Sequence, residues 1–432
     1  MDQFIDDSPF RDKFHWIWMI TADAPNQHEE WLDVYSRCDT LLTYTDWSKD
    51  TIHKETHNSL KVISEAPPSV SPDLQPLDKK AVKKNFGMEG SYIIGTVMRN
   101  QKRKLYPDLF KSFRKFLDES QRTDILLYCH TSYPDFGWDI PKLLNDYGIS
   151  SKTLFSYKCQ KCGYFFPSFF SDVISFCHNC KSPSATMASV QNGLDTKTFA
   201  IMYNMFDLYV QYATLEGCGV PPIEAAACGV PVMEIDWSAM TDVVRKLGGV
   251  PIEVQGSYLE METGREWSIP NNDHFVKELH KFFKKPGQLI TRDGKAALAA
   301  QKKNYNWEKT TNVWLDAIGN VDFSAYEDLW KSPVKQVSTD LQMPEKISNR
   351  QFVRKLIQQT IPHLSNSYYE LKLVRQLNYG IYSPNPLGNF GDDTSVFGRT
   401  QRAEFSRKEC IEEINKRVKK YNYWEQMRGQ NV

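Results

Sequence analysis

The sequence predicts an α/β protein assembled on parallel sheets, and three observations lead there. Strand-like apolar runs alternate with helical segments through residues 14–66, again from 91 to 157, and again after 196. Some of those runs, such as SYIIGTVM (91–98) and VPVMEI (230–235), are mostly apolar without alternation, as strands covered on both faces are. At 432 residues, 41 % apolar before its 22 glycines are added, the chain can bury a sizeable core over two to three domains.

The first rhythm is β-α-β-α-β. FHWIWMI (14–20), DTLLTYT (39–45) and LKVISEA (60–66) read as strands, with EEWLDVYSRC (29–38) and WSKDTIHKETH (47–57) as the helices between them. PPSVSPDLQPL (67–77) is proline-rich and without period, so it reads as a crossover. The second rhythm runs from strand 91–98 through helix PDLFKSFRKFLDES (107–120), strand TDILLYC (123–129), helix IPKLLNDYG (140–148) and strand KTLFSY (152–157). It resumes with helix TKTFAIMYNM (196–205), strand LYVQYA (208–213), a glycine-rich turn, a short helix, the strand 230–235 and helix MTDVVRKLG (240–248). HFVKELHKFF (274–283) and the stretch 295–318 read as amphipathic helices. Beyond about 320 the character changes. A linker over 330–346, helical RQFVRKLIQQTI and YYELKLVRQL, an irregular stretch 379–398 and a charged helix 407–428 are expected.

Residues 213–236, ATLEGCGVPPIEAAACGVPVMEID, combine features that core packing does not need. Pro221 and Pro222 suit a first helical turn, where no N–H is required, and Gly229 suits the position after the helix. The turn before them leaves the carboxyl end of a strand, where open parallel sheets bind ligands. Gly217 and Gly219 let backbone amides approach such a ligand, and a helix N-terminus points the same way, which makes an anion site. Glu216 and Glu224 bracket it, and the natural partners of a carboxylate beside a phosphate are hydroxyls.

The pattern E-G-x-G-x-P-x-x-E-A-x-A-x-G-x-P-V, beginning at Glu216, resembles the signature of retaining nucleotide-sugar glycosyltransferases of the GT-B fold, glycosyltransferase family 4 in particular. The pair Glu216 and Glu224 matches that family's E-x7-E. IIGTVMRNQKRK (93–104) resembles the family's first donor-domain strand, and NYNWEKTTNVWLDAI (304–318) its late helix crossing back toward the N-terminal domain. The resemblance spans roughly residues 15–320. It implies that Glu216 contacts donor-sugar hydroxyls and Glu224 the ribose. The turn Gly217, Cys218, Gly219 and Val220 would face the donor, and Arg99 and Lys104, with Arg103 adjacent, would neutralise its diphosphate. No catalytic metal is then expected, and the leaving phosphate would help to deprotonate the acceptor. Cys218 stands where the family often has an aromatic residue, and Leu105 where it has glycine.

A GT-B N-terminal domain needs more strands than residues 1–66 offer, so that unit is expected to be partial, with a second polypeptide as one source of the rest. Asp23 and His28 follow its first strand, where they read either as cleft residues or as structural ones. Residues 67–320 are expected to form the donor domain, 155–183 an insertion within it, and 321–432 an α-rich extension.

The insertion carries Cys159-x2-Cys162 and Cys177-x2-Cys180. Two such knuckles place four thiolates around one Zn²⁺, closing its coordination sphere, so the metal is expected to be structural and the module a zinc ribbon. His178 lies inside the second knuckle and is not read as a ligand. GYFFPSFF (163–170) between the knuckles reads as ribbon core or as a stacking surface. Lys+Arg and Asp+Glu are both 53, so net charge gives no general pull toward nucleic acid or membrane. No apolar run approaches the roughly 20 residues of a membrane helix, and the start lacks a signal-peptide core. Nine cysteines, four of them in CxxC pairs, suit a reducing compartment with a metal site better than a disulfide framework, so a cytoplasmic protein is expected. The partners expected are a nucleotide sugar and an acceptor (glycan, protein or modified nucleic acid). The other reading is a non-catalytic binding protein whose ribbon and tail engage nucleic acid or protein; a phosphorylase of the same fold would show a pyridoxal-lysine region, which is not identified.

Overall fold

The computed structural model describes residues 13–327 apart from 61, 172, 173, 262 and 325, together with 347, 349–360, 407–412 and 415. Near the N-terminus β1 (Ile17–Ile20), β2 (Thr40–Thr43) and β3 (Val62–Glu65) form a parallel sheet in the order β1-β2-β3. Helices α1 (Glu29–Ser36) and α2 (Asp46–Glu55) connect them. Thr45 caps α2 by accepting from the Ser48 amide, and Ile20, Leu41, Ile52 and Val62 close a small apolar core.

The chain then crosses over through α3 (Lys79–Asn85) into the main sheet. Its parallel strands are β4 (Tyr92–Val97), β5 (Ile125–His130), β6 (Thr153–Cys159), β10 (Leu208–Gln211), β11 (Val232–Ile235) and β12 (Val250–Ile252). They lie in the order β12-β11-β10-β4-β5-β6. That is the doubly wound order: the chain works outward from β4 in one direction, returns, and works outward from β10 in the other. Helices α4 (Tyr106–Ser120), α6 (Thr196–Met205), α7 (Val220–Ala227), α8 (Met240–Lys246) and α9 (Asn272–Lys284) cover the two faces. One core gathers Phe110, Phe113, Phe155 and Leu279, the other Tyr203, Phe206, Ile223 and Val243.

β6 also pairs antiparallel with β7 (Phe165–Phe169) and β9 (Pro183–Met187), and β9 with β8 (Ser175–Phe176). The cysteine-rich insertion therefore continues the main sheet at its edge. The short helix α5 (Ile140–Asp146) precedes β6.

Three stretches differ from the sequence expectation. Helix α3 lies beyond the expected crossover and was not anticipated: KKAVKKN has a single large apolar residue, Val82, and is ordered by the Asp78 cap and the Lys83–Asp207 ion pair. The hairpin β13 (Val254–Leu259) and β14 (Glu266–Pro270) was also missed, because its β13 residues are mostly exposed and give no clean alternation. The stretch 295–318 is two helices, α10 (Pro286–Asn304) and α11 (Trp307–Gly319), because Asn306 leaves the helix and caps α11 through the Lys309 amide.

Helix α11 returns to the small sheet, where Lys309 pairs with Glu65 at 2.7 Å and Thr310 donates to the Pro67 carbonyl at 2.5 Å. Lys246 adds ion pairs to Glu65 and Asp46, so both units are tied by charge as well as by covalent crossover. Among the described residues of the tail, α12 (Asn349–Thr360) covers the helix expected at RQFVRKLIQQTI, and the Arg407 guanidinium lies over its Phe352 ring. The linker 330–346, the helix YYELKLVRQL, the stretch 379–398 and most of the helix 407–428 lie outside the described residues. Among the described residues, no helix is long and apolar enough to cross a membrane.

Candidate functional site

β4 and β10 are adjacent, yet the chain leaves them for opposite sides of the sheet. This is the topological switch point, where the carboxyl ends of two strands leave a crevice. RNQKRK follows β4 and Glu216 to Val220 follows β10, so the switch point joins the two motifs 110 residues apart. Backbone pairing holds them: Thr214 donates to the Arg103 carbonyl at 2.9 Å, and Leu105 to the Tyr212 carbonyl at 3.0 Å.

Lys104 and Glu216 form a buried ion pair through Nζ and Oε1. Gln211 Nε2 donates to the same oxygen at 3.1 Å, and Tyr209 donates to Gln211 at 2.6 Å, which fixes the carboxylate from below. Arg103 lies 3.6 Å from the other Glu216 oxygen. Ser238 accepts from the Glu216 amide and donates to its carbonyl, each at 3.2 Å, locking the backbone of the turn. Burial pushes Lys104 well below the ordinary ammonium value, with the Arg103 charge adding to it and Glu234 opposing. An arriving anion would restore its proton affinity. Arg99 is spread more openly: its guanidinium makes a bidentate pair with Asp135 at 3.0 and 3.1 Å, which raises its pKa further.

The glycines serve different needs. A Cβ at Gly217 would overlap the Thr21 methyl of the small unit, so this glycine lets the loop after β1 seat on the turn. Gly219 has φ +78°, a left-handed conformation that L side chains avoid, and is the N-cap of α7. The Cys218 thiol is buried in the apolar core under the turn and burial pushes its pKa up. Val220 begins α7 and is partly exposed. Glu224, one turn along α7, accepts from the Tyr203 hydroxyl at 2.7 Å, and burial raises its pKa against that hydrogen bond. Asp23 receives Arg265 of the β13–β14 hairpin at 2.7 Å on both oxygens, and His28 meets the Thr263 carbonyl, so each ties the small unit to the hairpin.

Sequence reasoning missed Thr21, Asp135, Tyr203, Ser238 and, above all, Glu234. Glu234 lies on β11, is fully buried, and neither carboxylate oxygen has a hydrogen-bond partner. A Cβ at Gly219 would sit 3.2 Å from its Oε1, so the group lies directly against the glycine turn. Burial holds its carboxyl well above the ordinary value, with Lys104 pulling the other way. The signal was present: a lone acid inside the apolar strand VPVMEI.

In the insertion, Cys159, Cys162, Cys177 and Cys180 bring four Sγ atoms within 4.8 Å of one another. The Cys159–Cys180 and Cys162–Cys177 separations are both 3.6 Å. Zinc–sulfur bonds of about 2.3 Å put tetrahedral sulfurs about 3.8 Å apart, so the donor set and its spacing suit one Zn²⁺. Ser184 and backbone amides already favour the Cys159 thiolate, bringing it to about 5. His178 instead stacks on Phe166 at 4.0 Å. Phe165 and Phe166 are core, whereas Phe169 is exposed, so GYFFPSFF is only partly ribbon core.

No protein-family model matches the sequence, and no curated protein matches it. Solved structures do resemble the fold. Sucrose-phosphate synthase from Thermosynechococcus elongatus aligns with a TM-score of 0.52 at 14 % identity, over 72 % of this chain and 70 % of that one. A glycosyltransferase from Rickettsia africae gives 0.50 at 12 % identity, over 71 % of each chain. The Anabaena protein HepE, solved with UDP and glucose, gives 0.50 at 9 % identity, over 71 % of this chain and 72 % of that one. The fold is therefore GT-B, the architecture of these glycosyltransferases.

Proposed function

We propose that this chain transfers a sugar from a nucleoside-diphosphate sugar to an acceptor hydroxyl with retention of configuration, in the manner of glycosyltransferase family 4. One observation carries the reading: the cations after β4 and the carboxylate-flanked glycine turn after β10 meet at the switch point, with Lys104 on Glu216. In this reading the donor diphosphate takes the places of Glu216 at Lys104 and of Asp135 at Arg99, with Arg103 nearby and the Gly217–Gly219 amides facing it. Glu216, released, accepts from donor-sugar hydroxyls, and Glu224 accepts from the ribose. The fixed cations stabilise the charge that develops as the sugar–phosphate bond breaks. The acceptor oxygen forms the new bond on the same face, and its proton passes to the leaving phosphate. The Cys₄ cluster holds a structural Zn²⁺ away from this chemistry. Residues 67–320 form the donor domain, 155–183 its ribbon, 1–66 an acceptor-side unit and 321–432 an extension.

Calorimetric titration with UDP-, GDP- and ADP-sugars tests the reading. One nucleotide class is expected to bind, and Glu224→Ala to weaken it at least tenfold by removing the ribose acceptor. A folded chain that binds none of the three overturns it.

A further inference from the structure

A cavity of about 580 Å³ lies between the inserted module and the loop after β5. Its volume is within the roughly 300–1,000 Å³ of small-ligand sites. The cavity is distinct from the switch point but one residue from it along the chain. Tyr133 and Pro134 line it, and the next residue, Asp135, holds Arg99.

The lining has a particular chemistry. Among the described residues, none of the side chains facing the cavity carries a charge at neutral pH. The lysines of the module lie outside this lining: Lys158 donates to the Gly193 carbonyl at 2.6 Å, Lys181 to that of His178 at 2.8 Å, and Lys161, next to Gln160, is exposed. With no cation in the lining itself, the cavity favours a neutral ligand over a polyanion. Asn192 donates within the module to the Lys158 carbonyl and Thr186, and Gln160 to Thr186, so their carbonyl oxygens, with the amide of Gln191, face the cavity as partners for hydroxyls. The rings of Tyr133 and Phe170 stand edge to face at 5.7 Å and supply apolar surface for the C–H face of a pyranose. Neutral bidentate amides beside aromatic rings suit a ligand with many hydroxyls and no charge.

We infer that the inserted module carries a binding site for a neutral oligosaccharide, which holds the acceptor glycan beside the donor site. The acceptor role rests on the transferase reading above; the saccharide site does not. Its placement fits that role, because the module leaves the carboxyl end of β6, two strands from β4, at whose carboxyl end the switch point lies.

Saturation-transfer NMR on the full chain with malto-, cello-, manno- and chitohexaose tests the inference. At least one probe is expected to bind, and the double variant Gln160→Ala/Gln191→Ala to weaken it at least fivefold with an unchanged melting temperature. Both glutamines are exposed, so their loss should not disturb the fold. Glu224→Ala should leave saccharide binding unchanged while weakening the nucleotide sugar. Binding of none of the probes, or binding indifferent to the double variant, overturns the proposal. So does salt-dependent binding of an oligodeoxynucleotide that the double variant abolishes. Saccharide binding without nucleotide-sugar binding would keep this site and sink the transferase reading, so the two fail separately.

Discussion

At the scale of single residues the site turns on two buried arrangements, the Lys104–Glu216 pair and the unpartnered Glu234. Lys104 and Glu216 are each about a tenth exposed or less, so breaking the pair strands a charge in a poorly hydrated place. Lys104→Met should therefore destabilise the chain by about 3–5 kcal/mol, and adding Glu216→Gln should recover much of it. Urea unfolding of the single and double variants reads this out; a single variant as stable as the parent would show that the pair is not buried as described. Glu234 makes the opposite kind of statement. Unfolded, its carboxyl ionises near 4.5; folded, burial keeps its proton to higher pH. The native state then binds more protons over that window, and stability falls as pH rises from about 4.5 through the folded value. Glu234→Gln should flatten this decline. Parallel plots of melting temperature against pH for the parent and the variant would refute it.

The elements show what single residues cannot. Helix α7 is only Val220–Ala227, yet its start is set by two prolines and a left-handed Gly219, and its end by Cys228 and Gly229. Each of these signals is local, which is why the sequence shows them. The cysteine module is a second case. Its knuckles are local, but β7 to β9 are short and several of their apolar residues face water, Phe169 and Phe176 among them. So small a module has little core of its own, and metal bound at the Cys₄ cluster would be folding free energy for it. Cys177→Ser is expected to lower bound zinc from one equivalent to near none and to melt this module first. Elemental analysis with hydrogen exchange over 159–187 checks it, and zinc retained at one equivalent would count against the site. Because the sheet is continuous through β6, loss of zinc should also loosen the cavity beside Tyr133.

On the scale of the whole molecule the two units meet where the chemistry is proposed. Thr21 of the small unit presses on Gly217, and Asp23 holds Arg265 of the hairpin. Gly217→Ala should force the units apart at this point, while Thr21→Ser in the same chain, by removing the methyl, should restore the fit. Small-angle scattering and melting temperature would show it: expansion and a lower melting point for the single variant, neither for the double. If Gly217→Ala alone leaves both unchanged, the contact does not set the spacing of the units.

The legible part of this protein was the part written in neighbours along the chain. Alternating strands and helices, the caps and prolines of α7, the paired CxxC knuckles and the Glu216 to Glu224 spacing all depend on residues a few positions apart. Their physics is local: hydrogen bonds at helix ends, backbone conformations open to glycine, and paired cysteines whose short spacing suits metal ligation. The tertiary structure decided what those residues touch. Doubly wound strand order placed Lys104 on Glu216, brought Asp135 to Arg99 and laid Glu234 under Gly219. It also seated Thr21 on Gly217 and turned an aromatic run in the insertion into both core and cavity wall. Such contacts join positions from 15 to about two hundred residues apart, and burial determines their strength, which no short window of sequence contains.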